Sequence, residues 1–382
     1  MVRIGFVGCG YVADFYAKTL EFHPHLALIG VCDRRSERAA QFGKHYGVPV
    51  YQSYEEMLAD PTLDIVVNLT NPRSHYAVSK AALEAGKHVY SEKPLAMEFT
   101  EAKALVALAK EKNLYLSSAP CSMLGESAQT VWKALRDGVI GQPYLVYAEL
   151  DDGLIHRNNY KTWITESGSP WPYIDEFETG CTLEHAGYYV TWLTAFFGPA
   201  KAVTAYAACV VKDKQTDTPL TLETPDFSVG CLEFASGVVA RITCSIVVEH
   251  NHKLTIAGEE GTLTMDEAWD YRSPVYREPI KRNLRRERIP VLSQLLGYGR
   301  NPVPFAKDPN PQYRKSMPPA DFSKGVAELA HAISEARPCR LSAEHALHVN
   351  EIVLTLQNPQ TMGSPRIMET TFPAIAPMPW AL

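Results

Sequence analysis

The sequence predicts an α/β protein in two parts, a doubly wound parallel sheet followed by an α+β region rich in strands, and three observations predict it. The chain has 382 residues, too many for one ordinary core, and its 46% apolar content is enough to fill two. A glycine turn joins the first strand-like run to the first helix-like one. Strand and helix patterns then alternate through the first third of the chain and give way to recurring strand-like runs.

From Val2 to Val7 the residues are mostly apolar, and they lead through Gly8, Cys9 and Gly10 into a helical stretch from Tyr11 to about Leu20. A side chain at Gly8 or Gly10 would hold a pyrophosphate away from the backbone amides at the helix N-terminus, and Ala13 is small enough for the helix to lie on the strand. Alone, such a trio can be a tight turn and nothing more. The next strand, Leu26 to Cys32, sharpens the reading because it ends in Asp33, about 20 residues past the turn, where a Rossmann fold holds the adenosine ribose. A carboxylate there accepts the ribose hydroxyls and repels a 2'-phosphate, which favours NAD, while Arg34 and Arg35 beside it keep NADP open.

The alternation continues with a helix from Ser36 to Tyr46, a strand from Asp64 to Thr70, a helix from Ser74 to Ala85, a strand from His88 to Ser91, a helix from Thr100 to Lys112 and a strand from Leu114 to Ser118. Such units form a parallel sheet whose ligand lies beyond the carboxyl ends of the strands. The cofactor candidates gathered there are Gly8, Gly10, Tyr11, Val12, Asp33, Arg34, Thr70, Asn71, Pro72, His75, Glu92 and Lys93.

The net charge of -6 is small for this length and argues against nucleic acid as a partner. No apolar run approaches a membrane span, and Met1 is followed at once by the first strand, so no secretion signal is expected. The eight cysteines are scattered without CxxC spacing and read as free thiols of a reducing compartment, hence a cytoplasmic protein. His250 and His252 share a face if the run is a strand, but no third ligand is evident, so no metal is expected.

Ser91-Glu92-Lys93-Pro94-Leu95-Ala96, together with the glycine turn and Thr70-Asn71-Pro72-Arg73-Ser74-His75, resembles the glucose-fructose oxidoreductase and inositol dehydrogenase family, known as Gfo/Idh/MocA. The resemblance implies a Lys-Pro bond that is often cis and makes Lys93 the candidate catalytic lysine. A lysine beside the nicotinamide can hydrogen-bond the substrate oxygen, stabilise developing negative charge and lower the pKa of a neighbouring base. An isolated Lys-Pro would be a solvated lysine before a turn, and the strand end that precedes this one favours the catalytic role.

The resemblance covers essentially the whole chain. A helix from Gly125 to Asp137 leads through Gly138 to Pro143 into a second domain with strand-like runs at Tyr144 to Leu150, Lys201 to Val211, Phe227 to Phe234, Val238 to Val248 and Lys253 to Ala257, and a turn at Gly258 to Gly261. These imply the family's open, mostly antiparallel sheet, with helices on one face and the other face often used for a homodimer or homotetramer. The expected organisation is a Rossmann domain over 1–121, an α+β domain over 122–357 and a tail over 358–382.

Gly180 to Trp192 is a helix by composition, ending near Phe197. Many family members carry an aspartate and, four residues later, a histidine here, which implies that Glu184 and Tyr188 take those positions on one helical face. An unperturbed tyrosine, with a pKa of about 10, is a poor base at neutral pH and would need Lys93 to help it. His185 is better tuned but points roughly a quarter turn away on an ideal helix. Glu184, His185 and Tyr188 all remain catalytic candidates, against the alternative that they merely pack the helix.

His156, Arg157, Asn159, Tyr160 and Lys161 lie before the aromatic segment Trp163 to Phe177, and together they offer the hydrogen-bonding groups and ring faces that a sugar requires. They are the expected substrate contacts, although a polar surface loop reads the same way. The stretch 271–319, with Arg282, Arg285, Arg286, Arg288 and Arg300, is irregular and reads as a lid, arm or insertion, solvated or at an interface in preference to touching an anionic substrate. Phe322 to Leu356 reads as two helices. The whole converges on an NAD(P)-dependent oxidoreductase moving hydride between nicotinamide and a hydroxyl or carbonyl of a sugar, sugar acid, cyclitol or glycoside. The alternative is a redox-assisted glycoside hydrolase or lyase that recycles tightly bound NAD.

Overall fold

The computed structural model describes residues 1–280, 299–310 and 319–382. Five parallel strands, β1 (Val2–Val7), β2 (Leu26–Cys32), β3 (Ile65–Asn68), β4 (His88–Ser91) and β5 (Leu116–Ser118), form one sheet in the order β2-β1-β3-β4-β5. Apolar runs such as Ile65-Val66-Val67 are buried on both faces, as a parallel sheet covered by helices requires. Between strands lie the helices α1 (Tyr11–Thr19), α2 (Ser36–Tyr46), α3 (Tyr54–Ala59), α4 (His75–Glu84) and α5 (Phe99–Glu111). The chain turns one way from β1 to β2 and the other way from β3 onward, which opens a crevice at the carboxyl ends of β1 and β3.

The short α3 was not expected, yet its start is written locally. The Ser53 hydroxyl accepts from the Glu56 amide at 3.1 Å, and the Glu56 carboxyl reaches back to the Gln52 amide, a capping arrangement.

The second sheet holds nine strands among the described residues: β6 (Pro143–Asp151), β7 (Ala200–Ala208), β8 (Phe227–Phe234), β9 (Val239–Ser245), β10 (Leu254–Gly258), β11 (Gly261–Met265), β12 (Val275–Pro279), β13 (Asn301–Pro302) and β14 (Arg366–Ile367). Their order is β13-β12-β11-β10-β6-β9-β8-β7-β14, antiparallel except for β6 beside β9. One face packs on α6 (Glu126–Arg136), α8 (Gly187–Phe197) and the helix Ala343–Gln357, whose buried side also meets α5 of the first sheet. The opposite face leaves Tyr147 and Tyr206 exposed.

Three expectations are corrected. The stretch 271–319 is not irregular throughout, because β12 pairs residue by residue with β11, and Arg300 is fixed on Asp266 at 2.6 Å and over the Tyr276 ring. Arg282, Arg285, Arg286 and Arg288 lie outside the described residues. The segment after Gln357 is no loose tail: Arg366 and Ile367 pair with β7, Arg366 binds the buried Glu351 at 2.9 Å, and Phe372 and Ala381 are buried. Prolines spoil the periodicity that would have signalled this packing. The strand run expected to reach Val211 ends at Ala208, because the Asp226 carboxyl draws the Val210 and Val211 amides to itself.

Two consequences can be measured. Gly8 has φ +95°, and a Cβ on it would stand 2.6 Å from the Leu69 carbonyl oxygen. Gly8→Ala should therefore cost about 1–3 kcal/mol of stability, read as a lower unfolding midpoint, with impaired dinucleotide binding. His345 and His348 lie buried in the last long helix, where burial pushes them from 6.5 down to about 3 and about 4. Above pH 6.5 they are neutral folded or unfolded; below it only the unfolded chain takes up their protons, so stability falls as pH drops from 6.5 towards 4. Thermal unfolding followed against pH should show that slope, reduced in His345→Gln; an unchanged slope in the variant would contradict it.

Candidate active site

A cavity of about 1180 Å³ runs along the carboxyl ends of β1 to β4 and onto the face of α8. At one end it is lined by Gly8, Gly10, Tyr11, Val12, Asp33, Arg34, Arg35, Thr70, Asn71 and Pro72. Gly10 caps α1 with no side-chain hydrogen bond, and a Cβ there would meet nothing within 4 Å, so the helix's first amides face open space. Asp33 accepts from the Cys9 and Arg35 amides, at 2.8 Å each, which orients its carboxyl and leaves a lone pair on each oxygen. Exposed amides at a helix N-terminus with an oriented acid beyond them suit a pyrophosphate and a ribose. His75 lines the wall, but its ring nitrogens lie 2.7 Å and 3.0 Å from the carbonyls of Pro94 and Thr70. It clamps two loops together and has no free nitrogen to offer a cofactor.

Beyond β4 the Lys93-Pro94 bond is cis. Glu92 is held by the Tyr16 hydroxyl at 2.6 Å and itself accepts from the Lys93 amide. The Lys93 ammonium donates to Glu184 at 2.5 Å. Burial alone would push Lys93 down, but Glu184 and then Glu92 beside it hold it well above the usual lysine range. It stays charged at any ordinary pH.

Glu184 and its neighbours sit in an unusually wide turn. Residues Thr182–Ala186 form a π-helix that runs straight into α8. Gln357, from the end of the last long helix, anchors the turn by donating to the Thr179 carbonyl at 2.7 Å and accepting from the Leu183 amide at 3.0 Å. The widened turn breaks the ideal-helix geometry. His185, expected a quarter turn away, shares the cavity wall with Glu184 and Tyr188. The Trp269 ring lies 5.7 Å from the His185 ring and 5.4 Å from Tyr188.

Burial pushes the Tyr188 phenol up, and the opposing pull of Lys93 does not overcome it, so Tyr188 is a proton donor at neutral pH. Burial, then the Lys93 charge, push His185 down to about 3, which keeps it neutral. Its Nε2 is 3.7 Å from Asp152 Oδ2, and its buried Nδ1 has no hydrogen-bond partner. Glu176, which sequence reasoning passed over, lines the same cavity; burial first and Glu184 second raise its carboxyl well above the usual range.

The residues expected to meet the substrate lie elsewhere. None of His156, Arg157, Asn159, Tyr160 and Lys161 lines the cavity. Tyr160 is buried and donates to the Lys214 carbonyl at 2.8 Å, Lys161 pairs with Asp217, His156 is buried, and Arg157 and Asn159 are exposed. Two short helical turns, Ile155–Arg157 and Tyr160–Thr162, fold this loop back onto the second sheet's own packing. The aromatic segment after it reaches the cavity instead, through Trp163, Trp171 and Pro172, with Asp175 and Glu176 from α7 (Tyr173–Thr179). The tryptophans were a legible signal, and Asp152 opens the polar loop that the sequence offers for a sugar; Trp269 carried no signal in the sequence. Asp152 also approaches His250 and His252, a pair for which the sequence showed no third ligand.

Residues 2–119 match the oxidoreductase family with an NAD-binding Rossmann fold, and residues 128–264 match the GFO/IDH/MocA C-terminal domain. Trans-1,2-dihydrobenzene-1,2-diol dehydrogenase from Bos taurus is 24% identical over 272 residues, 70% of this chain and 75% of that protein. Aldose-aldose oxidoreductase from Caulobacter crescentus shares the fold at a TM-score of 0.73 and 19% identity, over 96% of this chain and 99% of that one. WlbA dehydrogenase from Bordetella pertussis, in complex with NADH and UDP-GlcNAcA, does so at 0.70 and 20%, over 96% and 98%. With a glycine turn, an oriented Asp33 and Lys93 on one cavity, and with both halves matched, this chain belongs to the GFO/IDH/MocA family of NAD(P)-dependent oxidoreductases.

Proposed function

We propose that the protein moves hydride between a nicotinamide and a ring carbon bearing a hydroxyl or carbonyl in a sugar, sugar acid, cyclitol or glycoside. The observation that carries the reading is the charged Lys93, held on Glu184 beside Tyr188 in the cavity. When bound, the nicotinamide supplies or takes up the hydride. The chain's residues manage the oxygen: the Lys93 ammonium steadies negative charge on it, and the Tyr188 phenol delivers its proton in reduction and recovers it in oxidation. Trp163, Trp171 and Trp269 offer flat apolar faces of the kind that cover one side of a sugar ring. A relative named for a cyclic 1,2-diol and a fold neighbour named for aldoses agree with such a substrate.

Asp33 at the ribose position supports NAD in preference to NADP, even with Arg34 and Arg35 alongside. The exposed Tyr147 and Tyr206 of the second sheet suit a homodimer or homotetramer, and the eight free cysteines suit the cytoplasm. One observation favours the second reading, a glycoside hydrolase or lyase with recycled NAD: the half-buried Glu176 is poised to hold a proton that a leaving group would need.

The test is incubation with NAD or NADP and a panel of sugars, cyclitols and glycosides, following near-ultraviolet absorbance of the reduced nicotinamide and products by mass spectrometry. Stoichiometric reduction supports the dehydrogenase; cleaved glycoside without net reduction supports the second reading; neither outcome in any substrate class defeats both. Lys93→Ala should lose about 10²–10³-fold in turnover with dinucleotide affinity retained, and unchanged turnover removes Lys93 from the chemistry. Tyr188→Phe should lose about 10²–10⁴-fold. Asp33→Ala should shift preference towards NADP, measured as the ratio of the two kcat/KM values.

A further inference from the structure

We propose that Asp152, His250 and His252 form a binding site for one divalent transition-metal ion in the wall of the cavity. The backbone builds it. Asp151 and Asn251 pair as an isolated antiparallel bridge, with hydrogen bonds of 3.0 Å and 2.8 Å. Asp152 is one residue past that bridge on one strand, and His250 and His252 flank it on the other. Alternation along extended chain therefore turns all three side chains to the same face. One ligand atom from each lies within 4.8 Å of the other two.

The nitrogens are prepared as acceptors. Glu267 lies 2.8 Å from His252 Nδ1 and 2.9 Å from His250 Nε2, and the Trp269 amide donates to it at 2.9 Å. The register of β10 on β11, carried two residues further, puts Glu267 opposite His252. With one N–H of each ring given to this carboxyl, the lone pairs remain on His252 Nε2 and His250 Nδ1, the carboxylate-to-histidine arrangement that orients metal ligands. His252 is fully buried, and its Nε2 has no hydrogen-bond partner. It lies 3.8 Å from Asp152 Oδ1, too far for a hydrogen bond. A tetrahedral ion with bonds of about 2.0–2.2 Å spaces its ligand atoms by about 3.3–3.6 Å, so this pair needs only a slight closure.

Two imidazoles and one carboxylate suit zinc and its first-row neighbours and leave coordination positions open. Asp152 lines the cavity, and His185 approaches its other oxygen at 3.7 Å, so an ion here stands beside the residues assigned to the chemistry. The open positions then suit a substrate oxygen. That last role rests on the oxidoreductase reading; the metal site does not.

The experiment uses the untagged full-length protein, stripped with chelator and titrated with cobalt(II), read by its visible d–d absorption, with zinc as competitor. One cobalt per chain, displaced by zinc, is expected. His250→Ala, on an exposed side chain, and Asp152→Asn should each weaken binding at least 10-fold, with circular dichroism and NAD binding as checks on the fold. Glu267→Gln, a positioning change, should weaken it by about 10–100-fold. Absence of a d–d band, or cobalt affinity unmoved in His250→Ala and Asp152→Asn, overturns the site. If hydride transfer persists in chelator-treated protein while cobalt still binds, the role towards substrate oxygen falls and the site stands.

Discussion

The contact on which this arrangement depends is the ion pair of Lys93 with Glu184. Lys93 leaves the end of β4 in the parallel sheet, while Glu184 comes from the π-helical turn packed under the second sheet. A lysine taken from water into this crevice would lose its charge to burial. Two carboxyls prevent that, one from each half: Glu184 from the turn and Glu92 from the strand end. The acid-rich wall thus costs desolvation of its own, visible in the raised Glu176, and secures a permanently charged ammonium in return.

The wide turn is the second constraint. An ideal helix would separate Glu184 and Tyr188 from His185 by about a quarter turn. All three nonetheless line one cavity, with Gln357 anchoring the first residues of the turn and Trp269 closing over two of them. Tyr188 and His185 are both neutral there, for opposite reasons of the same origin, since burial disfavours the charged form of each. Proton delivery by the phenol is therefore the easier assignment, and His185 is left as an acceptor beside Asp152.

Asp152 joins the two ends of this account. It follows β6, lines the cavity, and stands between His185 and the His250 and His252 pair. Its position comes from strand pairing across about a hundred residues of sequence, which no local pattern announces.

What the sequence by itself determined were the features that local chemistry writes: the glycine turn and Asp33, the strand and helix alternation, the Glu-Lys-Pro strand end, and the helix carrying Glu184 and Tyr188. Each depends on periodicity, small residues or a motif within a few positions. Tertiary structure alone decided which side chains share the cavity. The loop from His156 to Lys161 had suitable composition, but Tyr160 and Lys161 found partners at Lys214 and Asp217, and the loop folded away. Asp152, Glu176, Trp269 and His185 line the wall because strand register and packing between distant segments set directions that composition does not encode. The physical reason is that side-chain direction is fixed by pairing and packing between distant segments, whereas sequence pattern reports only the period of the segment that carries it.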